Sequence, residues 1–191
     1  MLYYKDIRGA KDPITNQYAG PDGKIDENDQ TFITNKANNH YSFGINVGAG
    51  YKGFRLDMVM SGSFGGVAQI ESGARKQATS TSSRPAFWAD HWTPENTNAA
   101  YPDPYYSTTY DLTSSFWSKS AFNFRMRTLN LSYTFPKFMT RKMGLEGLKV
   151  YLTATNPFNF YNPFDYRDNA LGSYDVYPNL KTFAFGINVG L

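Results

Sequence analysis

The chain has 191 residues, 18% of them charged and 17% aromatic, with a net charge of +3 and no cysteine. That length suffices for one domain or for part of a larger protein. The missing cysteine excludes disulfides and thiolate metal sites, and a charge this near neutral makes no case for nucleic acid. No apolar run approaches the length of a membrane-spanning helix, and the opening Met1-Leu2-Tyr3-Tyr4-Lys5-Asp6 does not read as a signal peptide. Fifteen Tyr, fifteen Phe, sixteen Gly and ten Pro favour an all-β chain broken by many turns.

After a polar stretch over 6–40, residues 41–51 place an apolar side chain at every odd position: Tyr41, Phe43, Ile45, Val47, Ala49 and Tyr51. A period of two over this length predicts a strand. Residues 54–64 predict a second, with Phe54, Leu56, Met58, Met60 and Phe64 on one face and Arg55, Asp57, Ser61 and Ser63 on the other. Lys52-Gly53 between them is a two-residue hairpin turn, with glycine available for positive φ. A long connection over 65–120 leads to a third strand at 121–135. There the apolar parity changes from Phe122, Phe124 and Met126 to Leu129, Leu131, Tyr133 and Phe135, so a β-bulge or a short break falls near Thr128. Residues 148–157 and 181–191 predict two more strands, joined by 158–180. The basic, apolar run 137–143 reads as a turn at the membrane face. Phe-Gly-Ile-Asn-Val-Gly stands at both 43–48 and 185–190, which we read as two strands under one constraint.

Long and short connections alternate, which gathers the long ones at one end of an up-and-down sheet. Strands of about eleven residues tilted near 45° match a bilayer. Long loops at one end, short turns at the other and aromatics near strand ends are the marks of an outer-membrane barrel. The competing architecture is a soluble β-sandwich, whose strands alternate too but run shorter. Five strands cannot close a transmembrane barrel, and an open edge in lipid leaves backbone groups unpaired. The expectation is an all-β, antiparallel transmembrane β-barrel segment, incomplete on its own.

A succession of motifs then carries a family likeness: Tyr4-Lys5-Asp6-Ile7, the acidic Asp22-Gly23-Lys24-Ile25-Asp26-Glu27-Asn28-Asp29, the strand 41–51 with Tyr51-Lys52-Gly53-Phe54, Trp92-Thr93-Pro94-Glu95-Asn96, the run 124–136, Leu148 to Leu152 with Asn156-Pro157-Phe158, and the ending Phe185 to Val189. In this order they resemble the C-terminal barrel region of the SusC/RagA family, TonB-dependent outer-membrane transporters of Bacteroidetes-type bacteria. Such proteins have an N-terminal plug and a barrel of about 22 strands. The resemblance implies that residues 1–191 are C-terminal barrel strands with extracellular loops near 6–40, 65–120 and 158–180, and that the plug lies outside this chain. It implies nutrient import of oligosaccharide or peptide with a SusD-like surface lipoprotein, the rest of the barrel and plug, the TonB system and outer-membrane lipid as partners. The C-terminus would be periplasmic; the family usually ends in an aromatic, whereas this chain ends in Leu191. Nothing points to an enzyme. The alternative function is a soluble β-sandwich carbohydrate-binding module using the tryptophan loop; a third reading is a split gene product completing a barrel with another chain.

Three groups of candidate site residues follow. Asp22, Gly23, Ile25, Asp26 and Asp29 fall at positions 5, 6, 8, 9 and 12 of an EF-hand-type loop, with positions 1 and 3 on Tyr18 and Gly20. With Asp6 folded back, Asp22, Asp26 and Asp29 could hold a calcium ion; otherwise they form a solvated acidic turn. Trp88, Trp92, Tyr101, Tyr105 and Tyr106 lie in a Pro-stiffened loop where aromatic faces suit sugars or a partner protein, against the simpler reading that they pack on one another. Arg55, Asp57, Arg125 and Arg127 fall on the polar parity and would face a barrel lumen, toward plug or substrate, or pair among themselves. His40 and His91 stand alone, without metal partners at useful spacing. No cofactor is called for beyond the calcium ion.

Overall fold

The computed structural model describes residues 2–32, 36–75, 83–105, 112–168, 171, 173 and 176–191. Its strands are β1 (Leu2–Tyr4), β2 (Gln30–Phe32), β3 (Tyr41–Tyr51), β4 (Phe54–Phe64), β5 (Val67–Gln69), β6 (Ser118–Ser120), β7 (Asn123–Thr134), β8 (Gly147–Thr155), β9 (Asn159–Tyr161) and β10 (Thr182–Gly190). Two short helices, α1 (Ser72–Arg75) and α2 (Lys137–Lys142), accompany them. No helix among the described residues is long and apolar enough to cross a membrane. The chain divides into a sheet unit (40–64, 122–163 and 177–191) and a loop unit (1–39, 65–121 and 164–176).

The sheet unit is one antiparallel sheet in the order β10-β8-β7-β4-β3, with β9 also on β7. β3 and β4 have the bounds that the period of two predicts, and pair from Tyr41↔Phe64 to Tyr51↔Phe54. Their turn has Lys52 at φ +46° and Gly53 at φ +92°, the two positive values of a type I′ turn. A Cβ on Gly53 would meet Thr134 O at 2.6 Å, so glycine is required by space as well as by φ.

The parity change in β7 is a β-bulge. Val59 pairs with Thr128 and Met60 with Met126, which leaves Arg127 as the extra residue. The bulge absorbs the change of phase, so Met126 and Leu129 both lie opposite the apolar parity of β4. The predicted 121–135, 148–157 and 181–191 are slightly shorter as strands, ending where ladder pairing ends. Two connections differ from expectation. The stretch 158–180 is not loop from its start: Asn156 takes φ +52°, and the chain then returns to extended backbone as β9, with Phe124↔Tyr161 paired. The run 137–143 contains a six-residue helix after Pro136, whose fixed φ and missing N–H suit a helix start.

Register aligns every apolar parity onto one face. Tyr51, Phe54, Tyr133 and Val150 lie side by side, as do Val47, Met58, Leu129 and Ala154. β10 continues the face with Phe183, Phe185, Ile187 and Val189, all more than half exposed. Aromatic rows bound this face at both ends. Tyr41 stacks on Phe64 at 5.2 Å, and Phe43, Phe124 and Phe160 follow at 5.7 and 5.0 Å. At the other end Phe54 lies 4.4 Å from Tyr133, which lies 4.9 Å from Phe135. The ten steps from Phe54 to Phe64, at about 3.4 Å each and tilted about 40°, rise about 26 Å, close to the apolar band of a membrane barrel. The long connections all leave the end of the sheet marked by Tyr41 and Phe64, and the short ones leave the other.

The loop unit has its own core. Ile70, Ala74, Phe87, Trp88, Trp117 and Phe164 are buried together, with Ala68, Tyr101 and Tyr166 against them. Two short ladders, β1-β2 and β5-β6, tie distant segments into it. So the long stretches read from the sequence as loops make a packed body as well as connections.

Candidate functional site

The polar face of the sheet carries the four residues assigned to a lumen. Arg55 and Asp57 form a bidentate pair, Nε to Oδ2 at 2.8 Å and a terminal guanidinium nitrogen to Oδ1 at 2.9 Å. This is the internal pairing weighed against contact with plug or substrate. Arg125 lies across from Ser61, and Arg127 Nε donates to Ser61 Oγ at 2.8 Å. Arg127, two residues on from Arg125, shares its face by ordinary alternation, and the bulge returns Thr128 to that face opposite Val59. Gly48 lies across from Asp57, and a Cβ there would meet Asp57 Oδ1 at 3.2 Å, so β3 leaves room for that carboxylate.

In the loop unit, a concavity of about 890 Å³ is lined by Trp92, Tyr101, Phe116 and Trp117, with Tyr4, Lys5, Asp6, Ile25, Asp103 and Leu112 around it. Its floor is rigid. Tyr101 stacks on Trp117 at 5.9 Å and 21°, and Phe116 meets Trp117 edge-on at 4.7 Å. Burial raises the Tyr101 pKa above its ordinary value, with the charges of Asp165 and Asp90 adding to it. Trp92, on one wall, opens the turn Trp92-Thr93-Pro94-Glu95-Asn96. Asn96 N donates to Thr93 O at 3.0 Å, and its side-chain amide donates to Asp90 Oδ1 at 3.2 Å. The other Asp90 oxygen accepts from Ala100 N at 3.2 Å, so one carboxylate closes both sides of the turn.

The loop aromatics divide. Trp88 is inside the core, and its indole N–H donates to Ala74 O at 2.7 Å, so its ring is not offered to a ligand. Trp92 is 42% exposed and Tyr101 half-buried, and both line the concavity. Tyr105 is exposed, with its backbone N–H on Asp103 Oδ1 at 2.8 Å. Tyr106 lies outside the described residues. Phe116, Lys5 and Asp103 join the site from segments far apart in sequence, and no spacing in the chain announces their meeting.

The acidic segment is organised around backbone N–H groups. The stretch 8–20 folds back on itself with a bridge between Lys11 and Tyr18, and Asp6 lies at the acidic cluster. The two Asp6 oxygens accept from Asp22 N at 3.1 Å and Gly23 N at 3.0 Å. Asp29 accepts from Ile7 N at 2.9 Å, Arg8 N at 3.0 Å and Asp26 N at 3.0 Å. Those donors, Ile7 first, then Asp26 and Arg8, hold its carboxyl below the usual carboxylate range. Asp26 and Asp22 accept from Asn28 N and Lys24 N. Among the described residues no three His, Asp or Glu side chains gather as a metal site requires. In this structure the four carboxylates close turns through these backbone N–H groups.

One buried network was not legible in the sequence. Glu71 Oε2 accepts from Tyr166 O–H at 2.7 Å and Arg167 Nε at 2.9 Å. The Arg167 guanidinium lies 3.9 Å from the Phe164 ring centroid and donates to Leu171 O. Burial, then the bond to Glu71, pushes the Tyr166 phenol well above its ordinary range. The network fastens 164–168 to the start of α1.

Comparison with known proteins agrees with this geometry. No family model matches the chain. It is similar to TonB-dependent receptor P3 of Formosa agariphila, 27% identical over 205 residues, covering 96% of this chain and 20% of that receptor. It is also similar to TonB-dependent receptor P26 of the same organism, 32% identical over 121 residues, covering 53% of this chain and 12% of that one. Among solved structures, the RagAB peptide transporter superposes with a TM-score of 0.69 at 21% identity, over 98% of this chain and 21% of that one. The RagAB peptide importer in its open-open state gives 0.67 at 20% identity, over 100% and 20%. The chain thus spans about a fifth of the length of the first of these relatives. Its fold is that of a TonB-dependent transporter barrel, present as an open sheet with β10 and β3 at its edges. The SusC/RagA resemblance read from the sequence motifs is borne out by the sequence and structure comparisons alike.

Proposed function

We propose that the chain forms part of the wall and the extracellular loops of a TonB-dependent nutrient importer in the bacterial outer membrane. The observation that carries this reading is the continuous apolar sheet face bounded by two aromatic rows, with the Arg55–Asp57 pair on the opposite face. In lipid such a face is solvated by acyl chains, whereas in water it would be a large exposed apolar patch. No second sheet covers it among the described residues, which disfavours the soluble sandwich module. The end of the sheet with the short turns faces the periplasm, and the long connections leave from its other, outward end. The open edges β3 and β10 pair with the rest of the barrel, because unpaired strand edges are costly in a bilayer. The wall and loops catalyse no reaction.

The finer reading is proposed by analogy with the relatives. A SusD-like lipoprotein closes over the outward side, energy comes through TonB, and the cargo is a peptide or an oligosaccharide. The aromatic concavity of the loop unit is the part of this chain suited to meet cargo or lid. The test is mass spectrometry of the complex extracted from outer membrane in mild detergent. This sequence should appear within a chain several times longer, together with a surface lipoprotein. Recovery of a free chain of this length from the soluble fraction would refute the importer reading.

A further inference from the structure

Helix α2 joins β7 to β8 at the end of the sheet with the short turns. It is seated on one narrow side, where Thr140 is buried with its hydroxyl on Lys137 O at 3.3 Å. The rest is open: Phe138 is 67% exposed, Met139 42% and Met143 64%. Lys137, Arg141 and Lys142 are exposed beside them, and no carboxylate lies between Pro136 and Leu145. Among the described residues none of these three cations forms an ion pair. At the neighbouring hairpin Lys52 is exposed too, its ammonium 5.2 Å from the Tyr51 ring centroid.

The order of chemistry along the sheet is aliphatic band, then the aromatic row of Tyr51, Phe54, Tyr133 and Phe135, then these cations. A bilayer leaflet presents the matching order of acyl chains, interface and headgroup phosphate. Exposed Phe and Met interleaved with Lys and Arg suit the boundary between headgroup and acyl chain, where the apolar groups sink and the cations stay with phosphate. The strands joined by α2 are interior to the sheet, flanked by β10 and β4, so additional barrel strands at the open edges do not reach it.

We propose that α2, with Lys52, is a docking surface for the anionic phospholipid headgroups of the leaflet at the short-turn end. The proposal rests on the barrel reading above. Charge complementarity, and the place of α2 directly after Phe135 of the aromatic row, select lipid as the occupant. The surface would anchor that rim of the barrel at a fixed depth.

The test uses the whole receptor in nanodiscs of phosphatidylcholine with an equal share of phosphatidylglycerol, with retained lipid counted by mass spectrometry after delipidation. Wild-type receptor should retain phosphatidylglycerol over phosphatidylcholine. The triple variant Lys137→Gln, Arg141→Gln, Lys142→Gln should lose that preference, at about fivefold in affinity per charge removed. If the triple variant does not assemble, Lys52→Gln and Lys142→Gln singly should each show the fivefold loss. No preference in the wild type, or full preference in the variants, would overturn the proposal while leaving the barrel in place. So would a variant whose lipid is unchanged but whose plug becomes protease-sensitive, since the surface would then belong to the plug. Failure of the receptor to enter nanodiscs at all would refute the barrel reading and this proposal with it.

Discussion

An arginine placed at Met58 should be far more damaging than one placed at Asn130, although the two positions lie on adjacent strands one residue apart in register. Met58 pairs with Leu129 and Val47 on the apolar face, and Asn130 pairs with Asp57 on the polar one. Met58 stands four residues from Phe54 and six from Phe64, which at about 3.4 Å per residue and about 40° of tilt puts it about 10 Å and 16 Å from the two aromatic rows. A guanidinium on the lipid face near the midplane costs about 2–4 kcal/mol, falling to about 0–1 kcal/mol near an interface. Met58→Arg should therefore lower the folding equilibrium constant about 30- to 1,000-fold. Phe54→Arg, at the row itself, should lose far less of the charge-burial cost. Asn130→Arg should stay within about 1 kcal/mol, since the new cation meets Asp57 in a polar setting. The assay is urea titration of the receptor reconstituted in vesicles, compared among the three variants. Equal effects at Met58 and Asn130, or no loss on going from Phe54 to Met58, would refute the assignment of faces.

Other perturbations have defined outcomes. The depressed Asp29 pKa means that the unfolded chain takes up the proton first, so its contribution is complete above the ordinary aspartate value of about 4 and is lost as pH falls through the lower folded value; hydrogen-exchange protection at Ile7, Arg8 and Asp26, taken relative to the intrinsic rate at each pH, should fall in acid, and Asp29→Asn should remove that acid dependence. Arg167→Met should destabilise the loop unit by about 3–5 kcal/mol by stranding Glu71, and adding Glu71→Leu should recover much of it; a thermal melt of both variants decides. Tyr151 lies against Gly186 across the β8–β10 ladder where a Cβ would need to sit, so Gly186→Ala should cost about 1–3 kcal/mol by urea titration and much less in a Tyr151→Ala background.

The strands were readable because a half-lipid, half-polar wall repeats every two residues, and β3 and β4 state that period without interruption. The change of phase in β7 was readable for the same reason, as a bulge or a break, and the register makes it a bulge with Arg127 as the extra residue. The loop unit was less legible. Its core joins Ile70, Trp88, Trp117 and Phe164 across segments with no shared period, so nothing local distinguishes a buried Trp88 from a half-exposed Trp92. Glu71 and Arg167 are 96 residues apart, and their pairing is a fact of tertiary packing alone. The calcium expectation turns on a point that spacing does not encode. Aspartates spaced for a cation are also spaced to accept the backbone N–H groups of a turn, and here Ile7, Arg8, Asp22 and Gly23 are among the donors. Helix α2 hid within a short basic run whose Pro136 was its best signal.

The central claim is that this sheet spans a bilayer with its apolar face in lipid. No cysteine falls within β3, β4 or β7, so spin labels on single introduced cysteines, in receptor whose other cysteines are replaced, can be placed along these strands and tested for collision with oxygen and with a water-soluble nickel chelate. Labels at Val47, Met58 and Leu131 should favour oxygen, and labels at Asn46, Asp57 and Ser132 should favour the chelate, alternating residue by residue. Uniform chelate access at all six positions would contradict the account and return the chain to a water-soluble sheet.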